Sequence, residues 1–391
     1  MFKKEDQPPI NGKFKAFIIR MLFAINIILG LLLLMCFWNV YISNETIGFL
    51  LAIATGLYPI LFIINILFLI LWIVLKKKIK YICAFFVLIG ALNITSIYQF
   101  NFLNQKTLSK EALEENTDFK VFSYNVRLFN LYKWLPKKGI DDSIINLITS
   151  QNASIICLQE SYNELENDRS PIKKLEQKLG KYAVFDACQN HLSGKKFMQT
   201  GNVILSKFPI KHTGIINFDN SNNVCIFADL KTDKGIIRIY NIHLQSFHFT
   251  KRDVQLFNAL KKGEGIDTKN KNLSLDFIRK LQDTYSKRAA QVRQVIKHIE
   301  ASPYPILLVG DFNDAPISQT YANFEKILSD SFKESGKGLG NTYNGKIPFF
   351  RIDYLWYDAN FESYNYEVLN ASFSDHFPIV SHFKNTSKKN L

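Results

Sequence analysis

The chain has little with which to cross-link itself. Its 391 residues include five cysteines and no Cys-x-x-Cys pair, which argues against a disulfide framework and against zinc fingers or ribbons. Cys36 and Cys83 fall in long apolar runs and Cys157 in a short one, so Cys188 and Cys225 remain as one possible disulfide pair. No repeat recurs at a fixed period, which excludes solenoids and propellers.

Charge is missing from three stretches. Residues 21–44, 46–75 and 81–105 contain no Asp, Glu, Lys or Arg, and a transmembrane helix needs about 20 apolar residues. Three spans are expected, at about 21–41, 47–75 and 81–100. The third carries Asn93, Thr95, Ser96 and Gln99 at its far end. A secretory signal peptide would have a shorter apolar run and a small-residue cleavage pattern, and the first stretch has neither. Basic residues are also absent from the loop around Ser43 to Thr46, whereas Lys3, Lys4, Lys13, Lys15 and Arg20 precede the first span and Lys76, Lys77, Lys78 and Lys80 follow the second. The positive-inside rule puts those lysines in the cytoplasm. Three crossings then place the remainder on the extracytoplasmic face of the cell (inner) membrane.

The rest of the chain is soluble in character. Residues 101–118 are polar, with Glu111, Glu114, Glu115 and Asp118, and read as a linker. From Phe119 to the C-terminus, β-branched runs alternate with helical patterns, including a long helix over 274–300. The net charge of the chain is +14, of which residues 1–100 supply +6. A basic domain suits a polyanionic substrate or an anionic membrane surface. Residues 247–275 mix Phe247, Phe249 and Phe257 with Lys251, Arg252, Lys261, Lys262, Lys269 and Lys271. Such irregular insertions on a rigid scaffold often set substrate choice.

The chemistry is concentrated at the ends of the apolar runs. In order these ends read Tyr124-Asn125, Leu158-Gln159-Glu160, Asn241-Ile242-His243, Gly310-Asp311-Phe312-Asn313, Arg351-Ile352-Asp353 and Ser374-Asp375-His376. Strand ends deliver side chains into a cleft, and carboxylates, amides and imidazoles either bind a hard cation or move protons. Asp311 and Asn313, two apart in an extended segment, share a face, as do Asn241 and His243. Gly310 permits close backbone approach. His191, His212, His248, His298 and His382 lack comparable acidic partners and read as surface or packing residues.

This ordered set over 119–384 resembles the endonuclease/exonuclease/phosphatase superfamily, including its deoxyribonuclease I-like and neutral sphingomyelinase-like members. The resemblance implies a four-layered α/β sandwich over 119–391. It implies Mg²⁺, with Mn²⁺ as an alternative, held mainly by Glu160 with Asn125 and Asp375. It assigns Asp311 to the attacking water, Asn313 and His243 to phosphoryl oxygens, and Asp353 to orienting His376. Arg127 stands where abasic-site enzymes carry an aspartate, and its guanidinium suits a phosphate, as does the amide of Asn202. Arg288 and Gln291 on the long helix match further family features. The expected activity is a membrane-anchored, Mg-dependent, nuclease-like phosphodiesterase that works by in-line attack of water. The alternatives are a sphingomyelinase-like enzyme acting on a lipid or head group, and a non-catalytic membrane adaptor. Substrate and bilayer are the only partners implied.

Overall fold

The computed structural model describes residues 12–38, 55–100, 106–164, 170–180, 182–186, 189–193, 196–247, 250, 252–253, 255, 268–345 and 350–387. Its strands are β1 (Tyr98–Gln99), β2 (Phe119–Asn125), β3 (Ile155–Glu164), β4 (Ala183–Asp186), β5 (Gln189–Ser193), β6 (Lys196–Ser206), β7 (Ile210–Asn217), β8 (Val224–Thr232), β9 (Gly235–His243), β10 (Ile306–Asp311), β11 (Ser329–Asp330), β12 (Gly338–Leu339), β13 (Asp353–Tyr357), β14 (Phe361–Val368) and β15 (Ile379–Asn385). They form two large sheets. One runs β11-β13-β10-β9-β8-β7, and the other β14-β15-β2-β3-β6-β4 with β5 on β6. Within them β2/β3 and β9/β10 are the parallel pairs.

The central strands are apolar along their whole length because both of their faces are covered. Val121, Ile155, Cys157 and Ile204 of one sheet meet Ile226, Ile239, Leu307, Val309 and Leu355 of the other. The alternate residues face outwards. Phe122, Ile156, Leu158 and Val203 pack under Ile144, Ile145, Ile148, Ile172 and Leu175, on helices α5 (Ile140–Ser150) and α6 (Pro171–Leu179). On the other side Tyr240, Ile242, Leu308 and Trp356 pack under Val292, Val295 and Ile299 of α7 (Thr268–Glu300). The layers run helix, sheet, sheet, helix, as the sequence implies. Each buried branched aliphatic side chain contributes about 1.5–3 kcal/mol. Helix α7 starts six residues before the expected 274. Most of the irregular segment before it, including Phe249, Phe257, Lys251, Lys261 and Lys262, lies outside the described residues.

The N-terminal region departs from the expected three spans. Helices α1 (Gly12–Trp38), α2 (Tyr58–Val74) and α3 (Lys80–Ala91) pack on one another, ahead of the short α4 (Lys110–Asn116). Among the described residues only Gly12–Cys36 is long and apolar enough to cross a membrane. At about 1.5 Å per residue, the 17 residues of α2 and the 12 of α3 fall short of a hydrocarbon core of about 30 Å. The start of the second expected span lies in 39–54, outside the described residues. The third ends as a helix at Ala91. It continues as a 3-10 turn over Ile94–Ser96 and as β1, which pairs with β12. Within 92–100, Ser96 and Gln99 are buried at a junction with the C-terminal domain, whereas Leu92 and Tyr98 remain exposed.

The three helices bury a few polar side chains among apolar ones and are apolar on the outside. Asn26 and Asn65 are fully buried. Trp72 Nε1 donates to Asn26 Oδ1 at 3.1 Å, Asn26 Nδ2 to Asn65 Oδ1 at 3.4 Å, and the Cys83 thiol to the Asn65 carbonyl at 3.3 Å. Phe17, Ile28, Ile63, Leu67, Phe85 and Leu88 are exposed. Water would penalise that outer surface, whereas lipid would not.

Candidate active site

Strand direction brings the candidate residues to one edge of the sandwich. Because β9 and β10 are parallel and β13 is antiparallel to β10, Asp311 has His243 on one side and Asp353 on the other. Parallel β2 and β3 place Asn125 beside Gln159, and antiparallel β15 starts level with Ser123. That brings the preceding Asp375-His376 to the same edge.

Local backbone departures aim the side chains. A register shift in the β3/β6 pairing lies between Leu158 and Ser161, and within it Glu160 has φ +47°. A bulge of this kind re-aims one residue out of the strand alternation. Gly310 has φ +137°, and a Cβ there would lie 2.1 Å from the carbonyl oxygen of Ile242. Gly310→Ala is expected to destabilise the protein by roughly 3 kcal/mol or more, adding backbone strain to overpacking against main chain that has no rotamer to change. A thermal melt reads this directly, and a midpoint equal to wild type would refute it.

Asp311 is the hub. It is 1% exposed. Its Oδ2 accepts from Asn125 Nδ2 at 3.0 Å and lies 3.7 Å from both His243 Nε2 and His376 Nε2. Its Oδ1 accepts from the Asn313 amide at 2.9 Å. The same Asn125 Nδ2 reaches Glu160 Oε1 at 3.2 Å, and His243 Nε2 is 3.7 Å from that oxygen. His243 Nε2 is buried and makes no hydrogen bond among the described residues.

His376 is fixed from behind. Its Nδ1 lies 2.9 Å and 3.2 Å from the two Asp353 oxygens. An ionised carboxylate can only accept, so Nδ1–H donates and Nε2 is left facing Asp311. Burial raises the pKa of Asp353 in spite of the neighbouring imidazole. Burial alone would lower that of His376, but Asp353 and Asp311 beside it turn the net shift upwards and favour the imidazolium. Thr342 Oγ1 accepts from the amides of Ile352 and Asp353, and Tyr343 lies edge-on to the His376 ring. No sequence signal marks Thr342 or Tyr343, since neither stands in an acid-rich or strand-end motif.

Two other residues sit differently from the roles their motifs suggest. Asn202 is 1% exposed, and its Nδ2 donates to the carbonyls of Val224 and Asn241, both at 3.2 Å. With both amide hydrogens engaged, it has no donor left for a phosphate. Together with Gln159, which donates to Asn241 Oδ1 at 2.7 Å, and Asn241, which donates to the carbonyls of Leu158 and Val203, it ties the two sheets beneath the cleft. Arg127 does stand at the cleft, but its Nε is 3.3 Å from Asp375 Oδ2 and its guanidinium lies 4.5 Å from the centre of the Trp134 ring. It thereby neutralises one carboxylate expected to hold metal. Asn313 donates its side-chain amide to the Leu244 carbonyl at 3.0 Å, which leaves one hydrogen for a ligand. Arg288 pairs with Asp314 at 3.1 Å, and Gln291 accepts from the Gln245 amide at 2.8 Å, bracing the loops around the site. Cys225, half of the possible disulfide, is a buried free thiol. Its partner Cys188 lies outside the described residues.

The donor chemistry fits a hard divalent cation. Glu160 and Asp311 bring carboxylate oxygens to 3.2 Å and 3.0 Å from the Asn125 amide nitrogen, and carboxylate oxygens suit such ions. Asp311, Asp353 and His376 also bring ligand atoms within 4.8 Å of one another. With His376 Nδ1 committed to Asp353, the more open Glu160 side is the better seat.

Comparison with known proteins identifies the family. The model of the Endonuclease/Exonuclease/phosphatase family matches residues 122–376, and that of a Domain of unknown function (DUF8431) matches residues 19–97. No curated protein matches. Solved structures that resemble the chain include an endonuclease/exonuclease/phosphatase from Beutenbergia cavernae, with 16% identity over 69% of this chain and 72% of that one, at a TM-score of 0.48. The human Nocturnin catalytic domain with bound sulfate shares 18% identity over 69% and 94%, also at 0.48. A mannosyl-6-phosphatase from Bacteroides thetaiotaomicron shares 19% over 68% and 98%, at 0.46. With the family model spanning most of its length, the chain belongs to the Endonuclease/Exonuclease/phosphatase family, enzymes that hydrolyse phosphoric esters with the help of a divalent metal.

Proposed function

We propose that this protein is a membrane-anchored, Mg²⁺-dependent phosphodiesterase that attacks phosphorus in line with water. The observation that carries this reading is the position of Asp311, a buried carboxylate flanked at 3.7 Å by two imidazole nitrogens and tied by Asn125 to Glu160. Glu160 would hold Mg²⁺, with Mn²⁺ as a substitute; Asn125 would join it by turning its Oδ1, which here accepts from the Arg127 amide, towards the ion, and Asp375 would join on releasing Arg127. When bound, the metal supplies a positive charge that stabilises the developing negative charge on phosphoryl oxygen.

The chain's own groups divide the remaining work. Asp311 aligns the attacking water and accepts its proton. His376, kept as imidazolium by Asp353, donates to a phosphoryl oxygen instead of acting as the base. His243 Nε2, buried without a hydrogen-bond partner, is available to a second oxygen or to the leaving group. Asn313 offers its remaining amide hydrogen, and Arg127 is free to grip phosphate once it leaves Asp375.

Orientation in a membrane is read from where the charges lie. The Lys76–Lys80 turn joins the far ends of α2 and α3, whereas Ser96 and Ile97, beyond the other end of α3, bond to the C-terminal domain. The basic turn and the catalytic domain lie at opposite ends of the helical region, but α3 is too short to carry the chain across. Among the described residues α1 alone is long enough, and Lys13, Lys15 and Arg20 in its first turns support a cytoplasmic start of α1 and an extracytoplasmic catalytic domain.

Nucleic acid is the first substrate to test. A phospholipid head group is a second reading, favoured by the contact between the loop after Asp311 and the apolar helices. The test uses the full chain in detergent micelles with Mg²⁺, offered either plasmid DNA or mixed phospholipid micelles. Nicking that disappears with EDTA and in His376→Ala supports the nuclease reading. Head-group release with the same two dependences, beside intact plasmid, moves the assignment to lipid. Activity that persists in His376→Ala refutes the proposed site.

A further inference from the structure

The loop after Asp311 ends inside the apolar helices. Ile317 is 3% exposed and shares one cluster with Leu33 and Cys36 of α1 and Tyr58, Leu61 and Phe62 of α2. It does so with φ +67°. A β-branched residue rarely adopts that region, and such strain persists only where surrounding packing over-determines it. Ile317 lies six positions after Asp311, so the seat is at most about 20 Å from the catalytic hub.

The intervening segment has little freedom. The Asn313 amide is bonded to Asp311, and its side chain to the Leu244 carbonyl. Asp314 pairs with Arg288 and accepts the Tyr354 hydroxyl on its carbonyl at 2.8 Å. Immediately after Ile317, Ser318 caps helix α8 (Gln319–Glu325) through the Tyr321 amide. A shift of Ile317 would therefore be carried back to Asp311 through bonded groups.

A second strap reaches the other half of the site. Arg351, two residues before Asp353, is 2% exposed. Its Nη2 donates to the carbonyl of Ser96 at 2.8 Å, and its Nη1 lies 2.7 Å from Asp330. The guanidinium also stacks on Phe332 and Tyr354 at 4.5 Å and 4.6 Å. The carbonyl comes from the 3-10 turn beyond α3.

We propose that Ile317 is a positioning residue: the N-terminal helices form the seat that holds the Asp311–Ser318 loop, and through it Asp311, in its catalytic place. The proposal rests on the reading of Asp311 as the group that takes the proton from water. It makes the membrane region part of the catalytic apparatus as well as an anchor. Arg351 secures Asp353 against the same region.

The experiment measures hydrolysis of bis(p-nitrophenyl) phosphate by the full chain in detergent with Mg²⁺. Ile317→Ser is expected to lower kcat about tenfold with KM within about twofold, because the substrate contacts are untouched, and Ile317→Val is expected to restore most of kcat. Leu61→Ala, on the helical side of the seat, should lower kcat as well, and the double variant Leu61→Ala/Ile317→Ser should lose less than the product of the two single losses. Wild-type kcat in Ile317→Ser, or independent losses in the double variant, overturns the proposal. If Ile317→Ser fails to fold, the comparison of Leu61→Ala with wild type decides it, and an unchanged kcat there counts against it. His376→Ala separates the two levels of inference. An inactive His376→Ala beside a fully active Ile317→Ser refutes only the seat, whereas an active His376→Ala refutes the reading of the site itself.

Discussion

His376→Ala is expected to lower kcat by about 10²- to 10⁴-fold, the range for removing a positioned acid–base group, in a protein that still folds but melts at a lower temperature, because Asp353 and Asp311 lose their buried partner. The imidazole is 5% exposed and stands at the sheet edge between two acids, outside the three apolar clusters of the sandwich. Its loss removes the donor that faces the phosphoryl group from the Asp353 side. It also leaves Asp311 and Asp353 without the cation between them, so some of the loss will come from mutual repulsion of the acids. Asp353→Asn gives the finer test. Asp353 and Asp311 are what raise the His376 pKa, so removing one of them must lower it. The alkaline limb of the kcat profile should then move to lower pH. The corresponding stability term has the same sign. A histidine whose folded pKa is raised contributes stability that is full below its unfolded pKa, and that contribution fades as the pH climbs through the folded one. An unchanged alkaline limb in Asp353→Asn would rule out His376 as the titrating donor.

Glu160→Gln is expected to abolish turnover at Mg²⁺ concentrations that saturate the wild type. The substitution is nearly isosteric, so the bulge that carries residue 160 and the hydrogen bond between Asn125 and residue 160 can both survive it. What disappears is the negative charge that a hard cation requires. Titration of Mg²⁺ should show a large rise in the concentration needed for activity, and Mn²⁺, which the same oxygen donors suit, should recover part of it. Full activity at the wild-type Mg²⁺ requirement would transfer the metal to the Asp311–Asp353–His376 group. Arg127 bears on the same question. While it pairs with Asp375 at 3.3 Å, that carboxylate is a poor ligand, which is why Glu160 is proposed as the principal one.

The core of this protein is written in its sequence. Runs such as Ile155–Leu158 and Ile306–Val309 are apolar throughout because both faces of each strand are buried, and that pattern is readable without coordinates. The strand-end acids and histidines stood out equally well, since residues of those types directly after such runs have few structural reasons to be there, and the fold brings them to one edge of the sandwich. Pairing decisions needed the fold. Asn202 stands in a motif that suggests a phosphate contact, yet its two amide hydrogens go to main-chain carbonyls across the sandwich, and which carbonyls lie nearby depends on how the two sheets meet. Thr342 gives no sequence signal because its role consists of accepting two amides from a distant segment. Residues 92–100 show the same limit from the other direction. A stretch without charge reads as lipid-facing, but a sequence does not record which solvent covers it. Here β1 pairs with β12 and the Ser96 carbonyl meets Arg351, so protein takes the place of lipid at those positions. Local periodicity fixes which face of an element is apolar, and only the tertiary arrangement decides what lies against that face.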